Sequence, residues 1–254
     1  MTPVDPQVIA LLTVAAFLAG VVDAIAGGGG LITLPALLTA GLPPHAALGT
    51  NKGQSVWGSG AALATFWRAG AVDRVQARFA FPLGLIGSTI GAQLVLAIDK
   101  DALEPVVIAM LIGAAAVLVI KKPIGDNVRR ILTRKMIVLA AALALAIGAY
   151  DGFFGPGTGT FLIVGFVALC GKPLTQATAD AKVVNFASNL ASLAAFAIAG
   201  TVVWEVALPM AGGQLVGGVV GARLAIRGGA RLIRIAVLVV SGALVLNLVR
   251  DLIR

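Results

Sequence analysis

Eight apolar stretches recur along the 254 residues: Val8 to Ile25, Ala46 to Trp67, Phe79 to Ile98, Leu103 to Ile120, Met136 to Phe154, Leu174 to Gly200, Val202 to Val220 and Ile233 to Leu248. Each has the length needed to cross a hydrocarbon core of about 30 Å as a helix. Inside a bilayer every backbone N–H and C=O must be satisfied within the protein, and segments of this length do so as α-helices. The pattern therefore predicts an all-α polytopic membrane protein. Composition agrees: 59% of residues are hydrophobic and 12% are charged, against roughly half and a quarter in soluble domains. No stretch is left over for a separate soluble domain. The first segment lacks a basic leader and a small-residue cleavage site, so it is expected to be a retained helix.

The net charge of +8 is topological rather than a nucleic-acid footprint. Lys and Arg concentrate between the apolar segments, as in "KKPIGDNVRRILTRK" from Lys121 to Lys135, where they orient a membrane protein with its basic loops inside. Cys170 is the only cysteine and His45 the only histidine. Neither a thiolate metal site nor a nucleophile with a base can be assembled from them, and no HExxH, GxSxG or nucleotide-binding motif occurs. No cofactor, metal or enzymatic role is expected. His45, at a helix start, together with Trp57 and Trp67, reads as packing and interface residues.

The chain repeats itself. "GVVDAIAGGGG" (Gly20 to Gly30) returns as "GAYDGFFGPGTG" (Gly148 to Gly159). "LPPHAALGTNKGQSVWGSGAALATFWRAG" (Leu42 to Gly70) aligns with "GKPLTQATADAKVVNFASNLASLAAFAIAG" (Gly171 to Gly200), which sets Lys52 opposite Lys182, Phe66 opposite Phe196 and Gly70 opposite Gly200. The pairs Gly87/Gly91 and Gly217/Gly221 match as small-xxx-small motifs that allow close helix approach. The halves are residues 1–125 and 126–254. Each half also carries a short apolar piece after its glycine break, Leu31 to Leu42 and Thr160 to Cys170. If these pieces are re-entrant, the repeats are parallel and Arg223, Arg227 and Arg231 fall outside, against the positive-inside rule. If they cross, each half has five helical segments, the repeats are inverted, and the basic loops Arg68 to Arg78, Lys121 to Lys135 and Arg223 to Arg231 all face the cytoplasm. The second arrangement is expected.

Glycine costs about 1 kcal/mol relative to alanine in a helix interior, so two breaks at matching positions call for a function. Gly- or Pro-interrupted segments at corresponding places in two membrane halves point to a transporter's binding site. A helix restarting after each break presents free N–H groups and a partial positive charge to whatever occupies it. Gly27, Gly28, Gly29 and Gly30 in the first half, and Gly155, Gly157, Thr158 and Gly159 in the second, are the resulting candidate anion ligands. Gly28, Gly29, Gly157 and Gly159 are expected at positive φ or in direct backbone contact with the anion.

Lys52 and Lys182 lie just inside the starts of long helices. An ammonium at membrane depth is a functional hypothesis, and snorkelling to the interface is the plainer alternative. The polar stripe around them adds Asn51, Gln54, Ser55, Asn185 and Asn189 to the candidate site, with Thr50, Ser59, Asp180 and Ser188 as further members of the stripe. Such residues also join helices by hydrogen bonding. Asp23 and Asp151, at matching positions before the breaks, are candidates for carrying a coupling proton, for capping, or for pairing with the lysines.

"GVVDAIAGGGGLITLPALL", "LPPHAALGTNKGQS", "GAVD" and "PLGLIGSTIGAQL", with the echoes "GAYDGFFGPGTGTFL" and "KPLTQATADAKVVNFASN", resemble the TauE/SafE family of membrane proteins, which includes sulfite exporters and toluene sulfonate uptake permeases. The resemblance covers nearly the whole chain. It implies multi-pass residence in the plasma membrane and transport of a small anion such as sulfite, a sulfonate or sulfoacetate. The expected partners are that anion and the lipid bilayer, with no nucleic acid and with room for a homo-oligomer. An anion channel is the main alternative, and an intramembrane enzyme or assembly factor is a remote third.

Overall fold

A computed structural model describes residues 4–120 and 134–253, and the regular structure among them is entirely helical. The order is α1 (Pro6–Ala26), α2 (Gly30–Thr39), α3 (Pro44–Arg68), α4 (Arg74–Leu96), α5 (Lys100–Ile120), α6 (Arg134–Phe153), α7 (Thr158–Cys170), α8 (Leu174–Ile198) and α9 (Trp204–Ile253). The helical run of α9 is broken at Gly229, where φ is 57° and ψ is −157°. By length and composition, Pro6–Ala26, Arg74–Leu96, Met136–Phe153 and Leu174–Ile198 are long and apolar enough to cross a membrane. The expected boundary between halves at residues 125 and 126, and most of the basic loop from Lys121 to Lys135, lie outside the described residues.

Local sequence accounts for the helix ends. Asp5 caps α1, accepting from the Gln7 amide at 2.8 Å, and proline follows it at the first helical position, where its missing N–H is harmless. The matching helices α3 and α8 are each 25 residues long and follow Pro43 and Pro173. Both end alike: Gly70 and Gly200 each adopt φ 69°, and the next amides, of Ala71 and Thr201, return to Phe66 O and Phe196 O at 3.1 Å. This left-handed closure needs glycine.

Glycines also record how the helices align. Gly213 abuts Thr13 and Phe17, Gly217 abuts Phe17 and Val21, and Gly221 abuts Val21, so α1 and α9 run in the same direction. Gly87 abuts Leu145 and Ala149 while Gly91 abuts Ala149 and Phe153, so α4 and α6 do likewise. At all four positions of the expected small-xxx-small pairs a Cβ would strike backbone of the facing helix. The α3 helix advances along the segment entering α9 and then along α9 itself, through Gly49 beside Thr201, Gly53 beside Ala207 and Gly58 beside Gln214. Against α8 it runs the other way: Gly53 approaches Leu193, and Gly60 meets the Phe186 ring.

Two apolar clusters flank a polar layer. One gathers Ala62, Phe66, Leu162, Phe166, Val184 and Ala222; the other gathers Leu12, Leu34, Leu48, Phe196, Val206 and Met210. Along α3 the polar run Thr50 to Ser59 lies between Leu48 of one cluster and Ala62 of the other. Along α8 the run Asn185 to Ser192 separates Val184 from Ala195 and Phe196. That layer holds the candidate site.

Candidate functional site

The two glycine breaks meet. At Gly27, the left-handed cap of α1 with φ 80°, a Cβ would overlap Gly159 and Thr160. The Thr160 amide donates to Gly27 O at 3.3 Å, and its hydroxyl donates to Ala26 O at 2.6 Å. Gly30 faces Pro156, whose Cα would be 3.2 Å from an added Cβ. The hydroxyl of Tyr150 secures the second break by donating to Pro156 O at 2.6 Å. Positive φ occurs at Gly27, Gly155 and Gly157. Of the four glycines expected there, only Gly157 adopts it. Gly29 is in the right-handed region as the N-cap of α2, and Gly159 is helical within α7. Gly159 is glycine because Gly27 occupies the space a side chain needs.

Across this junction each lysine pairs with the aspartate of the other half. Lys52 Nζ donates to Asp151 Oδ1 at 2.8 Å, to Asp151 O at 2.6 Å and to Asn189 Oδ1 at 3.3 Å. Lys182 Nζ donates to Asp23 Oδ2 at 2.8 Å and to Asp23 O at 2.5 Å. Both ammonium groups are buried, with Lys52 at 1% and Lys182 at 0% exposure, so neither snorkels. Removing either partner from such a pair strands a charge away from water. The remaining carboxylate valences are also used. Asp151 accepts from the Thr158 hydroxyl at 3.0 Å and from the Ser188 hydroxyl. Asp23 accepts from the Gly29 amide at 3.4 Å and the Asn185 amide at 3.5 Å. The Asp23 contacts are longer, and its side chain is 18% exposed against 3% for Asp151.

Between the breaks lies a small cavity lined by Asp23, Gly27, Gly29, Gly30, Asn51, Lys52, Ser55, Asp151, Gly155, Thr158, Gly159, Asn185, Asn189 and Gln214. The first turns of α2 and α7 open onto it, and helix N-termini favour negative charge. It encloses about 20 Å³ of space open to water, room for about one molecule.

Four residues expected in the site stand back from this cavity: Gly28, Gln54, Gly157 and Lys182. Gln54 donates to Asn51 Oδ1 at 2.9 Å and Ser55 Oγ at 3.0 Å, while Asn51 Oδ1 also accepts from Thr33 at 2.6 Å. Gln54 therefore orients two lining residues. Gln214 is a member that the repeat hid, because the first half carries Gly84 at the corresponding place. A lone glutamine inside "MAGGQLVGG" was the signal, since polar side chains in apolar spans are rare and functional.

A second buried charge cluster lies where the α3–α4 loop meets α8. Lys172 Nζ bridges Asp180 Oδ2 at 2.5 Å and Asp73 Oδ2 at 3.0 Å, and the Asp73 amide donates to Asp180 Oδ1 at 2.8 Å. Asp73 also caps α4 through the Val75 and Gln76 amides. Burial opposes its ionisation, but the Gln76 amide and the Lys172 ammonium outweigh burial and hold its carboxyl below the ordinary value of 3.8.

Comparison with known proteins places the chain. The family described as "Sulfite exporter TauE/SafE" matches residues 12–248. The chain is 41% identical over 245 residues to "Probable membrane transporter protein ORF9" of Sinorhizobium sp, covering 96% of this chain and 94% of that protein. It is 38% identical to "Probable membrane transporter protein YfcA" of Escherichia coli K12, covering 98% and 92%. A "Probable membrane transporter protein" of Haemophilus influenzae is 37% identical, with 96% of each chain covered. No solved structure matches. With a family match over nearly its whole length and relatives named as transporters rather than enzymes, the chain belongs to the TauE/SafE family of multi-pass membrane transporters.

Proposed function

We propose that this protein is a secondary transporter that carries a small sulfur-containing or organic anion, of the sulfite, sulfonate or sulfoacetate type, by alternating access between two inverted repeats. The observation that carries this reading is the pair of buried cross-repeat ion pairs, Lys52–Asp151 and Lys182–Asp23, at the crossing of two glycine breaks where two helices begin. In the paired form the lysines and aspartates cancel. An anion enters by replacing an aspartate carboxylate on a lysine, and Asp23, the more exposed carboxylate and the one with the longer contacts to its other neighbours, is released first. A proton taken up by the freed carboxylate would couple transport to the proton gradient.

The helix directions support the inverted arrangement. Both α1 and α3 run alongside α9 in the same sense, so the chain between them must return across the layer. That return is α2, although its 10 residues give only about 15 Å of helix. The matching helices α3 and α8 run in opposite senses, as inversion requires. The narrowness of the cavity, with room for about one water, favours gating over a continuous pore.

Counterflow of radiolabelled sulfite in proteoliposomes tests the proposal, with sulfonates and carboxylates as competitors. Unlabelled substrate inside should accelerate uptake of label, and Lys52→Gln and Lys182→Gln should each lower the apparent affinity at least tenfold, the loss typical of a desolvated charge contact. Uptake indifferent to internal substrate would indicate a channel, and affinity unchanged in both variants would remove the lysines from the site.

A further inference from the structure

A second cavity, independent of the transport site, is a large groove of about 940 Å³ between α3, α8 and α9 on the outer surface of the bundle. Its walls are apolar, with Trp57, Leu190, Leu215 and Val219 along its length, and small residues on α3 form its floor. One of these, Gly60, leaves only 3.0 Å between an added Cβ and the Phe186 ring. The groove has one charged end. Arg68, in the last turn of α3, and Arg223 of α9 both line it, no acidic residue does, and among the described residues neither arginine has a carboxylate partner. Because α3 and α9 run in the same direction, Arg68 and Arg223 lie at the same end while Val56, Trp57 and Leu215 lie at the other. From Val56 to Arg68 the helix rises about 18 Å, close to the ~15 Å hydrocarbon depth of one leaflet.

We propose that this groove binds an anionic phospholipid, its phosphate held between Arg68 and Arg223 and one acyl chain lying along α3, α8 and α9. Length, apolar walls and a two-arginine terminus match one lipid in one leaflet. Guanidinium groups suit phosphate because their planar donors bind its oxygens in pairs. Paired basic residues between spanning helices at one membrane face are a recognised arrangement for acidic head groups. A zwitterionic lipid of the same chain length fills the walls equally but leaves the arginine end weakly matched.

The test is native mass spectrometry of the intact protein released from micelles containing equal amounts of phosphatidylglycerol and phosphatidylcholine with identical acyl chains. Phosphatidylglycerol should be retained at least tenfold over phosphatidylcholine. The double variant Arg68→Gln/Arg223→Gln should reduce that preference below about twofold, while Arg78→Gln, an exposed arginine on α4 outside the groove, should leave it intact. Ala64→Trp, which fills the groove from its rim, should lower retention of both lipids. Equal retention of the two lipids by the wild type overturns the proposal, as does a preference that survives loss of both arginines. A dimer that forms only in lipid-free protein and is abolished by Ala64→Trp, with no lipid mass on the monomer, would assign the groove to a second copy of the chain instead.

Discussion

Where α8 meets the loop entering α4, the chain uses charge; where α3 meets the loop entering α9, at the matching place, it uses a hydroxyl and aliphatic side chains. At the first junction Asp180 Oδ1 accepts from the Asp73 amide at 2.8 Å, and Lys172 joins the two carboxylates. At the second, Thr50 Oγ1 accepts from the Val203 amide at 3.0 Å, and the place corresponding to Lys172 is Leu42, buried at 6% in the apolar cluster that includes Val203. The hydrogen bond that ties the loop to the long helix is common to both. The ion triad is an addition on one side. A buried triad and an apolar substitute of similar volume can hold the same fold, but they fail differently when one member is lost.

That contrast can be broken most forcefully at its lysine. Lys172→Met leaves Asp73 and Asp180 facing each other without a cation, and stability should fall by about 3 to 5 kcal/mol, read as a lowered melting temperature in detergent. Copying the other junction with Asp73→Val, Lys172→Leu and Asp180→Thr together should recover most of that loss. If the triple variant melts as low as the single one, the two junctions are not interchangeable.

At the neutral junction the expected effect is smaller. Thr50→Val removes the acceptor of the Val203 amide and should lower stability by about 1 to 3 kcal/mol, whereas Thr50→Ser, which keeps the hydroxyl, should stay near wild type. Equal melting of the valine variant and wild type would show that the hydrogen bond does not hold the loop.

The smallest effect is confined to acid. Because the Asp73 carboxyl titrates below its ordinary value of 3.8 in the folded protein, its ionic stabilisation is complete above that value and lost as pH falls through the folded one. Asp73→Asn keeps a capping side chain and removes the charge. The stability gap between wild type and Asp73→Asn should therefore be constant from pH 7 to about pH 4 and close below it, in urea unfolding followed across pH. A gap that closes between pH 7 and 5 would mean that Asp73 is not the titrating group.

Much of the architecture was legible because membrane burial writes itself into local sequence. An apolar run long enough to span has few alternatives to a helix. The starts of α3 and α8 after Pro43 and Pro173, the glycine ends at Gly70 and Gly200, and the breaks at Gly27 and Gly155 are each decided within a few residues. Most lining residues of the small cavity were likewise named from the glycine breaks and from the polar stripe on two apolar helices, although the same residues could equally have joined helices by hydrogen bonding.

What a linear pattern does not hold is the choice of partner across the bundle. Along the chain Lys52 is far nearer to Asp23 than to Asp151, and Lys182 far nearer to Asp151 than to Asp23, yet each ammonium reaches the aspartate of the other half. Antiparallel packing of α3 on α8 makes that choice. The same packing decides that Gly159 must yield space to Gly27, while positive φ falls at Gly27, Gly155 and Gly157. It also brings Gln214 to the cavity and sets Lys172 between Asp73 and Asp180. By itself the sequence determined the helices, their interruptions and the repeat, because those depend on local backbone satisfaction and on apolar length. Only the tertiary structure decided which charges neutralise which, because a buried ion takes the partner that close packing leaves within about 3 Å, however distant it is along the chain.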